Sequence, residues 1–396
     1  KSSWDKSKPV NQRYNWQFFG IPIDTVNASP TVNGAYIRYR NEAGNDTTTH
    51  WQSLTNSSKI IPFHGYELCY ETPRKIVFQG KLVNRNFNSG QLAKTSTGGV
   101  LYGGQYIFAN PYTAAIDILQ FNFGSDVEQT IYLYNTGTFA NWNSGTAGKI
   151  GSTPGQYTSS PKNMAGVALI PRQIPSMSSM LIRVLNSSPN AYIDINYNSA
   201  AMGNSELHRA PSTKDLPSKY PSVRIDVESK SASDRMWLFV DDHFTPYFDN
   251  GFDGIKMTGS ALNQQIYAVE KDGNYQIDAV NDIENSNIAF QAGQDTEYKL
   301  TFTNENIAGK YEKLYLFDTQ ENKVVEITES GSTYEFTAQS TPNPVLRFKI
   351  ITKKESNLNN ENPDIVFFNI NNNLYFYNQG NETSKIYLYD ISGRNI

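Results

Sequence analysis

Val223-Arg224-Ile225-Asp226-Val227 alternates apolar and polar residues without a break, and it sets the key in which the rest of the chain reads. Strand side chains point to opposite faces with a period of two, so this pattern places Val223, Ile225 and Val227 on one face. The same alternation recurs in Ala35-Tyr36-Ile37-Arg38-Tyr39, Lys75-Ile76-Val77-Phe78-Gln79, Thr130-Ile131-Tyr132-Leu133-Tyr134 and Lys313-Leu314-Tyr315-Leu316-Phe317. Turn formers punctuate these runs at Asn33-Gly34, Ala43-Gly44-Asn45-Asp46, Lys271-Asp272-Gly273-Asn274 and Ser330-Gly331-Ser332. Helical spacing is nearly absent. Short strands bounded by regular turn signals predict an all-β protein of sandwiches or barrels. Composition agrees, since 25 Tyr and 21 Phe among 396 residues suit a pleated, half-buried surface.

An internal repeat runs through the first half. One copy passes from Trp16-Gln17-Phe18-Phe19-Gly20-Ile21-Pro22 through Tyr36–Tyr39 to Ile61-Pro62-Phe63-His64-Gly65-Tyr66-Glu67-Leu68 and Lys75–Phe78. The other passes from Gln105-Tyr106-Ile107-Phe108-Ala109-Asn110-Pro111 through Thr130–Tyr134 to Ile174-Pro175, Met180-Leu181-Ile182 and Ala191–Ile195. The copies lie roughly 90 residues apart, too far for a solenoid unit. The expected organisation is a β domain over 1–200 built of two similar halves (about 10–90 and 100–200), then a linker over 201–222 holding Pro211, Pro217 and Pro221. A β-sandwich domain follows over 223–352, then an Asn-rich linker over 353–363. The last segment, 364–396, is too short to fold alone, so it is expected either to begin a longer domain or to pack on its neighbour.

Several classes of function find no support. A nucleic-acid binder needs a basic stripe, whereas the net charge is −4 and no Lys/Arg block stands out. The single cysteine, Cys69, forbids an intrachain disulfide, and its apolar strand text marks a buried thiol. No apolar run reaches the roughly 18 residues a spanning helix needs. The four histidines, His50, His64, His208 and His243, form no dense metal-ligand spacing, and no G-x-S-x-G elbow is present. No catalytic residues are therefore assigned. The densest acidic cluster is Asp241-Asp242-His243 with Asp249-Asn250-Gly251-Phe252-Asp253-Gly254. Such an oxygen-rich loop admits Ca²⁺ at Asp249 and Asp253. Ser260 stands where an EF-hand needs its bidentate Glu, and Asp and Asn build turns of this kind without metal. Trp16, Trp51, Trp142 and Trp237 fit core packing, with a sugar-stacking platform as the alternative if their rings are exposed.

The closing stretch Lys385-Ile386-Tyr387-Leu388-Tyr389-Asp390-Ile391-Ser392-Gly393-Arg394 resembles the C-terminal (type A) sorting domain of Bacteroidetes type IX secretion cargo. Phe108-Ala109-Asn110-Pro111-Tyr112-Thr113-Ala114-Ala115-Ile116-Asp117 resembles a signature of a β domain common in such cargo. Residues 223–351, with Asp234-Arg235-Met236-Trp237 and Gly251-Phe252-Asp253, resemble the β-sandwich that often precedes the sorting domain. The resemblance implies an immunoglobulin-like sorting domain, with Tyr389, Asp390, Ser392, Gly393 and Arg394 as the sorting motif. It implies export through the outer membrane of a Gram-negative bacterium, with the type IX translocon and sorting machinery as partners. It further implies O-glycosylation at the Asp-Thr positions Thr25 and Thr47. The family's sorting domain continues for further strands past the turn, so 364–396 is expected to be a partial sorting domain. The reading that follows is a non-catalytic, secreted or cell-surface adhesin or scaffold contacting host or surface glycans or proteins. The alternatives are an ancillary region of a larger secreted hydrolase and a glycan-binding module. No cofactor is expected beyond the calcium just named.

Overall fold

The computed structural model describes residues 16–42, 50–72, 74–95, 103–135, 156–201, 218–259, 263–284, 286–341, 343–353, 365–370, 373–378, 385–387, 389–390 and 392–395. The protein is all-β. In the first repeat copy, β1 (Gln17–Phe19), β3 (Tyr36–Arg40), β4 (Trp51–Ser53) and β6 (Tyr66–Cys69) form an antiparallel sheet of order β1-β6-β3-β4. A small ladder, β2 (Val26–Asn27) with β5 (Lys59–Ile60), accompanies it. In the second copy, β8 (Gln105–Ala109), β11 (Thr130–Tyr134), β12 (Tyr157–Pro161) and β14 (Ser179–Arg183) form a sheet of order β8-β14-β11-β12. Its accompanying ladder is β9 (Ile116–Asp117) with β13 (Gln173–Ile174). Taken in chain order, the four strands of each sheet occupy the same places, and both small ladders join the same connections.

The two sheets interlock. Gly20, just after β1, donates its N–H to Met177 O at 2.9 Å, and Ala109, at the end of β8, donates to Phe63 O at 2.8 Å. Phe63 and Met177 hold equivalent places before β6 and β14, and both have left-handed backbones, φ 69° and 60°. A Cβ on Gly20 would lie 2.2 Å from the Cβ of Ala109, so only glycine admits this approach. A third sheet, β7 (Phe87–Asn88), β10 (Phe121–Phe123) and β15 (Ile193–Ile195), joins the copies in the order β10-β15-β7. Phe63 and Val83, from the first copy, belong to the core of the second with Phe108, Ile116, Ile131 and Ile182.

The Val223–Val227 text forms β16 (Ser222–Glu228), as its alternation predicts. Val223, Ile225 and Val227 are buried in one core. β16 belongs to an 11-stranded sheet with β17 (Ser233–Val240), β18 (Gly254–Ile255), β19 (Gln265–Val269), β20 (Asn274–Val280), β21 (Asn287–Gln291), β22 (Glu297–Glu305), β23 (Lys313–Asp318), β24 (Lys323–Glu326), β25 (Thr333–Thr337) and β26 (Val345–Lys353). Its order is β24-β23-β26-β21-β19-β20-β17-β16-β22-β25, with β18 beside β20. β17 and β20 run parallel. The sheet folds over itself, because rings from opposite ends of this order meet. Phe336 of β25 lies 5.0 Å from Phe290 of β21 and 5.2 Å from Phe348 of β26.

The hairpin β27 (Ile365–Ile370) and β28 (Asn373–Asn378) follows. Tyr375 packs on Phe317 of β23, with ring centres 4.8 Å apart. One strand expectation fails. Residues 75–79 take part in no ladder, and Val77 is exposed while Ile76 and Phe78 rest on the first core. Alternating text satisfied an extended, half-buried segment here without a partner strand. Most of the linker at 201–222 and nearly all of that at 353–363 lie outside the described residues. No helix among the described residues is long and apolar enough to cross a membrane.

Candidate functional site: the C-terminal turn and the acidic seam

The closing turn is wired by one carboxylate. Asp390 Oδ1 accepts hydrogen bonds from Ser392 N (2.9 Å), Ser392 Oγ (2.6 Å) and Arg394 N (3.0 Å). Arg394 Nε pairs with Asp390 Oδ2 at 3.2 Å. Asp390 N donates to Arg394 O and Gly393 N to Asp390 O, each at 2.9 Å. Gly393 closes the turn at φ 81°, in the left-handed region that favours glycine. Hydrogen bonds from Ser392 and Arg394 hold the Asp390 carboxyl below its usual range. Tyr387 and Tyr389 beside it are 61% and 59% exposed. The structure thus brings Tyr389, Asp390, Ser392, Gly393 and Arg394 together as one compact surface feature.

The acidic cluster sits elsewhere, in a seam between the second repeat copy and the 11-stranded sheet. Asp253 Oδ2 accepts Asp249 N (2.6 Å), and its Oδ1 accepts Ala279 N (2.7 Å). Asp249 Oδ2 accepts Thr245 N at 2.7 Å. These carboxylates therefore close turns, and among the described residues no group of three or more His, Cys, Asp or Glu could hold a metal. Burial pushes the Asp253 carboxyl up to about 9 and that of Asp278 up to about 8.

Asn250, within the acidic cluster but given no role by the sequence, makes the crossing contacts. Its Oδ1 accepts Gln129 N at 2.7 Å, and its Nδ2 donates to Val127 O at 3.2 Å. Gly251 O accepts Asn163 N at 3.0 Å, and Asp253 O accepts Thr130 Oγ1 at 2.8 Å. Gly251 has φ 90°, and a Cβ there would meet Asn163 Nδ2 at 2.9 Å. Apolar packing completes the seam, with Met164, Ala168 and Ile170 against Trp237, Phe239, Ile277 and Ala279. Trp237 is 1% exposed and donates Nε1–H to Ala168 O at 2.8 Å. The Asn-Gly dipeptide was the available signal, but it reports a turn and not what the turn grips.

Of the other tryptophans, Trp142 lies outside the described residues. Trp16 and Trp51 are half-buried and clamp Arg38, whose guanidinium lies 4.2 and 4.6 Å from their ring centres. Arg38 Nε donates to Glu67 at 2.5 Å, while burial pushes that carboxyl up to about 7. Trp51 and Glu67 line a cleft of about 430 Å³ with Arg40, Gln105 and Tyr157. Thr25 is exposed beside Asp24, which pairs with Arg85 at 2.9 Å, and Thr47 lies outside the described residues. Cys69 is buried and forms no disulfide among the described residues.

No family model matches the chain, and no solved structure matches it. The chain is similar to the minor fimbrium subunit Mfa5 of Porphyromonas gingivalis, with 32% identity over 354 residues. That match covers 83% of this chain and 27% of the subunit, so the chain spans about a quarter of its relative's length.

Proposed function

We propose that this chain is a non-catalytic, surface-exposed β module of a fimbrial or adhesin-like protein, exported by the type IX secretion system. The observation that carries the reading is the similarity to a fimbrium subunit across most of the chain. The seam supports it, because buried locking contacts suit a rigid, load-bearing unit better than a mobile catalytic cleft. The turn at 389–394 supports the export route, since its side chains face solvent where a sorting machinery could read them. In this reading residues 1–200 form a two-half unit and 223–352 a second. Residues 364–396 begin the sorting domain, with 201–222 and 353–363 as linkers. Partners are the translocon, then host or surface proteins or glycans, with the Trp51 cleft as the place to look for a sugar. Thr25 and Thr47 are O-glycosylation sites of the exported form. Any Ca²⁺ at Asp249 and Asp253 would have to displace the N–H donors that occupy them.

A second reading, an ancillary region within a longer secreted protein, is favoured by the 27% coverage of the relative. The test is delivery. The full gene is expressed in a type IX-competent bacterium with and without Asp390→Ala and Gly393→Val. Surface protease accessibility of the native chain and its loss in both variants is the expected result. Undiminished surface delivery of both variants would overturn the export route. Reproducible turnover of any polymer by the purified chain would overturn the non-catalytic reading.

A further inference from the structure

We infer that the cleft beside Trp51 binds an acidic sugar, a pyranose ring that carries a carboxylate. The inference rests on the reading of the chain as a surface module and names the class of glycan the module would hold. The cleft, of about 430 Å³, lies where three parts of the chain meet. Arg40, Trp51 and Glu67 come from the sheet of the first copy, and Gln105, Tyr157 and Arg183 from that of the second. Residues 255–258, from the end of β18 onward, close the third side. The volume falls within the roughly 300–1,000 Å³ of small-molecule sites.

Strand register sets which side chains share the cleft. Arg40 stands across from Trp51, Gln105 across from Arg183, and Ile107 across from Leu181, so each couple shares one face of its sheet. Arg40 Nε donates to Gln105 O at 2.7 Å and ties the two sheets together. The aromatic wall is stiff. Trp51 and Tyr157 end a row of rings in which Phe18 lies 6.4 Å from Trp51 and 4.8 Å from Tyr134, and Tyr134 lies 5.0 Å from Tyr157. Rings already held in place lose little freedom when a ligand packs on them, and each offers a broad apolar face to a sugar ring.

Charge selects an acid among sugars. Arg183 commits Nη1 to Glu128 at 2.7 Å, yet its side chain is 28% exposed and carries a five-donor fork. A planar fork of this kind matches a carboxylate with two parallel bonds. Arg40 adds a second positive centre, while Glu42 and Glu128, which face these two arginines, are buried and lie outside the lining. Lys256 also lines the cleft but is committed to Asp234. Glu67 is the one acid in the lining among the described residues. It faces Arg38, and burial raises its carboxyl to about 7, which weakens its repulsion of an anion. Gln105 and Thr258 offer neutral partners to ring hydroxyls. The larger hollow beside β25, of about 700 Å³, lacks this combination. Glu228, Asp295, Glu297 and Glu335 line it against Lys230 and Lys299, and its rings, Tyr298 and Phe336, are buried.

The test is calorimetric titration of the purified full chain with glucuronate, glucose, N-acetylneuraminate and acetate. The expected result is saturable binding of an acidic sugar, at least about tenfold tighter than glucose or acetate. Whichever of glucuronate and N-acetylneuraminate binds more tightly identifies the kind of acidic sugar. Trp51→Ala should weaken that binding by removing the platform. Arg183→Lys should weaken it too, since it keeps a charge beside Glu128 but loses the fork. No saturation of the wild-type chain by either acidic sugar overturns the inference, whether or not the variants fold. Equal affinity for glucose removes the role of the carboxylate, and equal affinity for acetate removes that of the platform, so either overturns it. Binding that survives both substitutions undiminished places the ligand elsewhere and overturns it as well. The titration does not depend on delivery, so its failure leaves the export reading standing, and failed delivery leaves this inference standing.

Discussion

Asp253 and Asp390 both take backbone N–H donors on the carboxylate and end in opposite electrostatic states. Asp253 accepts Asp249 N and Ala279 N, and Asp390 accepts Ser392 N and Arg394 N, bonds that by themselves lower a carboxyl pKa. At the surface those bonds prevail, and Asp390 is held below its usual range. In the seam burial prevails, and Asp253 rises to about 9. Local wiring therefore makes the turn, while the surroundings decide whether it acts as a lock or as a display. The seam turn grips another part of the chain through Asn250, and the closing turn presents Tyr389 to solvent.

Four perturbations probe this contrast. Trp237→Ala should cost about 3–5 kcal/mol, because it empties the centre of the seam and strips Ala168 O of its donor. Denaturant unfolding measures this, and a loss under about 1 kcal/mol would mean that the seam is not a stabilising core. Asn250→Ala should cost about 1–3 kcal/mol by leaving Gln129 N and Val127 O without their partner. An unchanged midpoint would show that the hook carries no load.

The third perturbation is pH. Asp253 in the folded chain titrates near 9, well above an ordinary carboxyl at about 4. A folded pKa above the unfolded one means that the fold favours the protonated form. Its stabilisation is then complete below the unfolded value and is lost as pH rises through the folded one. The unfolding temperature should accordingly be lower at pH 9 than at pH 6, and Asp253→Asn should flatten that slope. A wild-type profile that rises over this window would contradict the seam assignment. The smallest effect belongs to the exposed turn. Asp390→Ala should leave global stability within about 0.5 kcal/mol, because the bonds it loses are local. A cooperative loss of stability would show that the closing turn is packed and not displayed.

Much of the fold was legible because a period of two is a local signal. The β16 text placed Val223, Ile225 and Val227 in the core without reference to any partner. The recurrence of strand text and Ile-Pro turns was also a local signal, and the two four-stranded sheets over 17–69 and 105–183 have the same strand order. The same signal misread Lys75–Phe78, since alternation reports a half-buried face and says nothing about a hydrogen-bonded neighbour. The closing stretch was legible as a strand ending in a turn, while its wiring came from the structure, where every group that bonds Asp390 lies within four residues of it. The acidic loop was legible as a turn only. Its partners Val127, Gln129, Thr130 and Asn163 lie more than 80 residues away in sequence, where no spacing rule reaches.

By itself the sequence determined the all-β class, because that depends on the alternation of residues near one another in the chain and on composition. Only the tertiary structure decided that the two copies interlock at Gly20 and Ala109, and that the acidic loop is a seam. Only it set Trp51 and Arg183 in one cleft. Those outcomes depend on burial and on contacts between distant strands, which are properties of the packed molecule rather than of any segment.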